Sequence, residues 1–240
     1  SDSSNSHVAK KWQMRIFDEG LARHFEEQCR VSPVAARLLT LRGLKTPEDC
    51  NHFLENKMSN LRDPELLPGC AAAADALWDS VSAKEKIVVY GDYDADGMTS
   101  TAILVSCLEK LGADVKYFVP NRLDDGYGLG HDALEKLAAQ GASMVVTVDC
   151  GIASVDHAQT AKRLGLKLVI TDHHQMGDQL PEAVALVHPR LPGHDYPFGD
   201  LCGAGVAFKV AWRLCQLASG ENDSPKVAPH LREYLSLIHI

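Results

Sequence analysis

From residue 86 onward, short, largely apolar runs alternate with amphipathic stretches. The runs lie at 87–90, 115–119, 144–148, 168–170 and 183–187. Runs without polar alternation predict strands buried on both faces. Helical periodicity fills the gaps at 99–111, 131–140 and 155–164, and Gly112, Gly141 and Gly165 follow as stops. This alternation predicts an α/β domain over 86–240, a parallel sheet with helices on both faces. Residues 1–85 have a different texture and read as a small helical N-terminal segment. Within it, Val34, Leu38 and Leu41 form one stripe over 33–41. Thr46-Pro47-Glu48-Asp49 supplies an N-cap hydroxyl, a proline at the first helical position and first-turn acids. An Ala-rich stretch over 70–81 predicts a third helix, and Asp63-Pro64 and Pro68-Gly69 punctuate the segment.

Composition narrows the class. Of the 240 residues 45% are hydrophobic, enough for a sizeable core, yet no apolar run approaches the length of a membrane span. The opening SDSSNSHVAKKW lacks the apolar centre of a secretory signal. Seven scattered cysteines without a C-x-x-C pair argue against a disulfide framework or a zinc ribbon. A reducing, cytoplasmic setting is expected. Asp and Glu outnumber Lys and Arg by 32 to 24, a net charge of −8. General attraction to a polyanion is thereby excluded, and any nucleic-acid contact has to be local or metal-assisted.

Four polar clusters follow the apolar runs directly: GDYDADG at 91–97, VPNRLDDGYG at 119–128, DCG at 149–151 and TDHH at 171–174. In a parallel sheet the carboxyl ends of the strands share one edge, where ligands bind. Asp92, Asp94, Asp96, Asp149, His173 and His174 can therefore converge although 80 residues separate them. An acid after a strand is ordinarily a helix cap or turn former, and that reading suits Asp132 or Asp156. It suits three acids in five positions poorly, because clustered like charges need a cation. Carboxylates with imidazole and no thiolate favour Mn²⁺ or Mg²⁺. So many ligands exceed one catalytic zinc and suit two ions roughly 3.5–4 Å apart, an arrangement used for phosphoryl hydrolysis.

The motifs GDYDADG, VTVDCGI and VITDHHQ, in this order, resemble the DHH phosphoesterase superfamily, named for the triplet at 172–174. VYGDYDADGMTSTA (89–102), VPNRLDDGYGL (119–129), Leu180-Pro181 and PFGDLCGAGVAFKVAWRL (197–214) are similar to its RecJ branch, the single-strand-specific 5′→3′ exonucleases of DNA repair and recombination. The likeness runs from about residue 12 to 235. It implies a metal-dependent hydrolase of single-stranded DNA, with Asp94 on one metal, Asp96 on the other and Asp92 as a further ligand. Asp149 becomes the bridging carboxylate, His173 a metal-binding imidazole and His174 the one facing phosphate. Where many relatives begin the first motif with His, this chain has Tyr90, which passes that contact to Asp92 or water. The family's fourth-motif aspartate and downstream domains are not found before the terminal LREYLSLIHI, so the 240 residues alone are expected to be inactive. Two other readings compete: a phosphodiesterase for short oligonucleotides or cyclic dinucleotides, and a non-catalytic scaffold.

The remaining candidates are weaker. Arg122, on the ligand edge, is either a solvated arginine or a contact to substrate phosphate, with Tyr127 placed to stack on a base. Gly203-Ala204-Gly205 reads as a closely packed helix start ahead of a phosphate loop. His188 and His194 read as loop residues. Cys150 reads as packing, not as a nucleophile, and Trp12, Trp78 and Trp212 as core or interface residues.

Overall fold

The computed structural model describes residue 13, residues 15–55, residue 57, residues 60–120 and residues 128–220. The chain forms two compact units, Ser1–Leu61 and Arg62–Ile240.

The first unit holds α1 (Glu19–Cys29), α2 (Pro33–Leu41) and α3 (Pro47–Leu54). Each is capped by a short polar side chain: Asp18 accepts from the Leu21 amide, Ser32 from Ala35 and Thr46 from Asp49. Ala22, Phe25, Ala36, Leu39 and Cys50 make its small core. The stripe expected on α2 does not enter it. Val34, Leu38 and Leu41 are 65%, 48% and 37% exposed, and the buried face carries Ala36 and Leu39. The period is right and the face wrong: small Ala36 shares its side of α2 with Leu39 in the cluster around Phe25.

The second unit begins with a 3₁₀ turn at Pro64–Leu66 and α4 (Cys70–Ser82). Sequence texture places α4 with the N-terminal helices, ahead of a boundary at 85. Its contacts place it with the sheet: α4 packs on a C-terminal helix, α8 (Gly203–Ser219), and on the last strand, β5 (Ala185–Val187). Gly69, just before α4, makes that approach possible. A Cβ there would lie 1.8 Å from the Leu186 carbonyl oxygen.

The sheet comprises β1 (Lys86–Tyr90), β2 (Asp114–Phe118), β3 (Met144–Val148), β4 (Lys167–Thr171) and β5, all parallel, in the order β2-β1-β3-β4-β5. The intervening helices are α5 (Ala95–Lys110), α6 (His131–Ala139) and α7 (Val155–Arg163). The α/β expectation holds, and Gly112, Gly141 and Gly165 stop these helices in left-handed backbone. One face of the sheet, with Val88, Tyr90, Val145, Leu168 and Ile170, packs on α6 and α7. The alternate residues serve the other face, covered by α4, α5 and α8. The α8 helix is buried at every residue from Gly203 to Gln216, Trp212 and the polar Lys209, Arg213 and Gln216 included. Among the described residues no helix is long and apolar enough to cross a membrane.

Chain direction across the sheet reverses at β1. The connection from β1 leads to β2 on one side, and the chain then returns past it to β3. A crevice forms where the order reverses, between the carboxyl ends of β1 and β3. GDYDADG and DCG follow those two strands.

Candidate metal centre

Tyr90 ends β1 and turns away from the site. It is fully buried, packs at 5.0 Å on Phe118, and its hydroxyl donates to the Gly128 carbonyl at 3.0 Å. The next residues carry the chemistry. Asp92 is 1% exposed, one oxygen accepts from the Tyr93 amide, and burial pushes its carboxyl pKa up. Asp94 caps α5 by accepting from the Gly97 amide at 2.9 Å. The helix therefore starts four residues earlier than its periodicity indicates, and Asp96 falls in its first turn.

Asp149 follows β3 in left-handed backbone (φ 62°), uncommon for a residue with a side chain. It is 1% exposed, and neither carboxylate oxygen has a hydrogen-bond partner of acceptable geometry. The His173 Nε2 atom stands 3.1 Å from Oδ1, close enough for attraction but not aligned for a hydrogen bond. Burial, the largest influence, pushes the Asp149 carboxyl up to about 6. The His173 imidazole is pulled upward in turn, chiefly by Asp149. Such a buried, unsatisfied carboxylate is costly unless a cation completes it. The donor set fits one. Asp92, Asp94 and Asp149 present ligand atoms within 4.8 Å of one another, as do Asp149, His173 and His174, so two triads share Asp149.

Asp96 stands slightly apart. Its Oδ2 is 3.4 Å from His173 Nε2, and its two oxygens accept from the Gly203 and Ala204 amides, both at 2.7 Å. An anion at a helix N-terminus is stabilised by the unpaired amides and the helix dipole, so Asp96 ties the start of α8 to the centre. The closely packed reading of Gly203 holds. A Cβ on Gly203 would lie 2.4 Å from Asp149 Oδ1 and 2.9 Å from Asp149 Cβ.

Two participants escape the sequence reading. Asp172, buried after β4, accepts from the His173 and His174 amides, meets His174 Nδ1 at 2.7 Å and accepts from the Ile152 amide. It organises the loop that carries both imidazoles. His188 is expected from sequence to be a loop residue like His194, which is exposed. It is instead 1% exposed, and its Nε2 lies 2.8 Å from the His174 carbonyl. The rule that finds the other clusters, a polar residue directly after an apolar strand, would have found His188 behind β5.

Cys150 is buried and its thiol is pushed well above the ordinary range by burial, which suits packing. Arg122, Tyr127 and Trp12 lie outside the described residues. A cleft of about 470 Å³ opens beside the centre, lined by Ile152, Ser154, His157, Asp172 and His174 among others.

Residues 86–238 match the DHH family, N-terminal domain. The chain belongs to the DHH family. The match begins where strand–helix alternation begins. Among curated proteins, this DHH chain is 43% identical over 204 residues to the single-stranded-DNA-specific exonuclease RecJ of Bacillus subtilis strain 168, covering 85% of the chain and 26% of that protein. It is 37% identical over 210 residues to RecJ of Escherichia coli K12, covering 86% and 36%. Among solved structures, RecJ of Thermus thermophilus in complex with Mn²⁺ superposes with a TM-score of 0.69 at 31% identity, covering 91% of the chain and 29% of that one. The chain thus spans between about a quarter and a third of the length of these DHH relatives.

Proposed function

We propose that the chain carries the metal centre of a single-stranded-DNA-specific 5′→3′ exonuclease that uses two Mn²⁺ or Mg²⁺ ions. The observation that carries the reading is Asp149, a buried carboxylate with both oxygens unsatisfied, shared between two ligand triads at the switch point of the sheet. The relatives named above supply the substrate class, and RecJ of Thermus thermophilus has been crystallised with Mg²⁺ as well as Mn²⁺. Asp92 and Asp94 would hold one ion, His173 with Asp96 the other, and Asp149 both. Ions bound there supply Lewis-acid activation of water and charge neutralisation at the phosphate.

The protein's own groups do the rest. His174, oriented through Nδ1 by Asp172, is assigned to the substrate phosphate. The cleft beside it gives a terminal nucleotide room against Ile152 and His157. Because the net charge of −8 offers no general attraction to DNA, local contacts have to hold the strand. Arg122 is assigned to two phosphate oxygens through its planar fork, and Tyr127 to a base face.

The test measures release of 5′-mononucleotides from a 5′-phosphorylated single strand, by protein containing this chain with Mn²⁺. Duplex DNA and dinucleotides are the comparison substrates. Degradation of long single strands, lost on chelation, is expected. Preference for dinucleotides would move the reading to an oligonucleotide phosphodiesterase, and absence of Mn²⁺ binding would leave a scaffold. In the same assay Arg122→Ala is expected to weaken single-strand binding by about tenfold, the loss of one charge-assisted bidentate contact. Mn²⁺ affinity should stay unchanged and Arg122→Lys should restore part of the loss. Equal kinetics for Arg122→Ala and wild type would return Arg122 to solvent.

A further inference from the structure

Behind the imidazole pair, His188 joins two loops that meet at the carboxyl edge of the sheet. Its Nε2 lies 2.8 Å from the His174 carbonyl oxygen, and its Nδ1 accepts from the Arg190 amide at 3.0 Å. A carbonyl only accepts and a backbone amide only donates, so these contacts fix a neutral ring with its proton on Nε2. The ring is 1% exposed, and its own backbone amide reaches the Pro68 carbonyl at 3.4 Å, ahead of α4. His174 is consequently held from two sides. Asp172 takes its amide and ring Nδ1, and His188 takes its carbonyl.

We propose that His188 is a positioning residue for the metal centre, holding the His173–His174 loop through the His174 carbonyl so that both imidazoles stay at Asp149. The peptide plane after His174 has one rotational setting when its carbonyl is held by a buried donor, and that setting helps fix where the paired rings lie, 4.6 Å apart. Groups that orient metal ligands without touching the ion are worth about 10–100-fold in affinity. The consequence for Mn²⁺ rests on the metal reading above. The consequence for the loop does not.

Two substitutions separate this role from support of the local turn. In His188→Gln the side-chain amide nitrogen can reach where Nε2 was and donate to the His174 carbonyl. In His188→Asn the shorter side chain can accept from the Arg190 amide, an Asx-type turn, but falls short of His174. Amide hydrogen exchange over 173–175 is measured without metal, and Mn²⁺ binding by calorimetry. His188→Gln is expected to stay within about threefold of wild type in both. His188→Asn is expected to speed exchange and to weaken Mn²⁺ by about 10-fold or more, while still melting cooperatively. The reverse order, with Asn resembling wild type and Gln impaired, would assign His188 to the turn and overturn the proposal. So would unchanged exchange in both variants. Should the wild-type chain bind no Mn²⁺, the exchange arm alone decides the positioning role, and the failure belongs to the metal reading.

Discussion

Replacing Asp149 by Asn is expected to abolish Mn²⁺ binding and, in the metal-free protein at alkaline pH, to raise the melting temperature. Both effects have one origin. The carboxyl is buried and unsatisfied, and burial raises its pKa to about 6, well above the ordinary carboxyl range. A group that holds its proton more tightly in the fold than in the unfolded chain contributes stability below its unfolded pKa. That contribution is lost as the pH rises through about 6. At pH 8 the metal-free fold therefore carries a buried, ionised carboxylate without a hydrogen bond, a cost on the order of 2–3 kcal/mol for a shift of this size. Asn removes the charge at nearly constant volume, so a gain on the order of 5 °C is expected at pH 8 and little at pH 4. His173, pulled upward by the same carboxylate, loses a partner in the variant; measuring at alkaline pH keeps that offset small. Function runs the other way, because Asn cannot serve as an anionic ligand to both triads. Calorimetry should show no Mn²⁺ binding to Asp149→Asn and a smaller loss for His174→Ala, whose ring is assigned to phosphate. Equal losses in the two variants would remove the bridging assignment.

The central strands β1, β3 and β4 were legible because burial on both faces leaves a signature in the sequence, runs that are almost continuously apolar. At the sheet edge, β2 carries Lys116 and is mostly exposed. Once those runs are parallel, residues that follow them must share an edge, which is why acids at 92–96 and 149 and the histidines at 173–174 could be placed together across 80 residues. What was not legible depends on packing between elements distant in sequence. The face of α2 that is buried was decided by the cluster around Phe25, and periodicity alone offers Val34, Leu38 and Leu41 equally well. The Ala-rich α4 looks like its helical neighbours in the sequence, yet it packs on α8 and β5, a partnership set by Gly69 and by chain more than a hundred residues away. Tyr90 stands in a motif position yet points into the core, since alternation along β1 puts it on the face with Val88 and not at the crevice. Asp96 reads as a ligand by spacing. Only the arrival of α8 shows that its oxygens also take two helix-terminal amides.

That arrival makes Gly203 a tightly constrained position beside the metal centre. A methyl group on Gly203 would sit 2.4 Å from Asp149 Oδ1, 2.7 Å from its Cγ and 2.9 Å from its Cβ. The Cβ cannot swing aside as a flexible side-chain tip would, because Asp149 is held in left-handed backbone with its amide bonded to the Thr171 carbonyl at 3.0 Å. Gly203→Ala therefore has to move the start of α8, which would break the 2.7 Å contacts from the Gly203 and Ala204 amides to Asp96, or displace Asp149 itself. Either route disturbs a carboxylate assigned to metal. The expected result is a loss of about 1–3 kcal/mol in stability, the usual cost of overpacking, together with at least a tenfold loss of Mn²⁺ affinity. Gly205→Ala is the control, two residues along the same helix. Its Cβ would meet Leu201 Cδ1 at 2.5 Å and Cγ at 2.8 Å, a rotatable apolar side chain outside the ligand cluster. It should cost stability through the same helix start while leaving Mn²⁺ affinity within a few-fold of wild type. Parallel urea melts and Mn²⁺ titrations of the two variants separate the effects. If Gly203→Ala binds Mn²⁺ as tightly as Gly205→Ala, then Asp149 tolerates displacement and its fixed position is not what the centre requires.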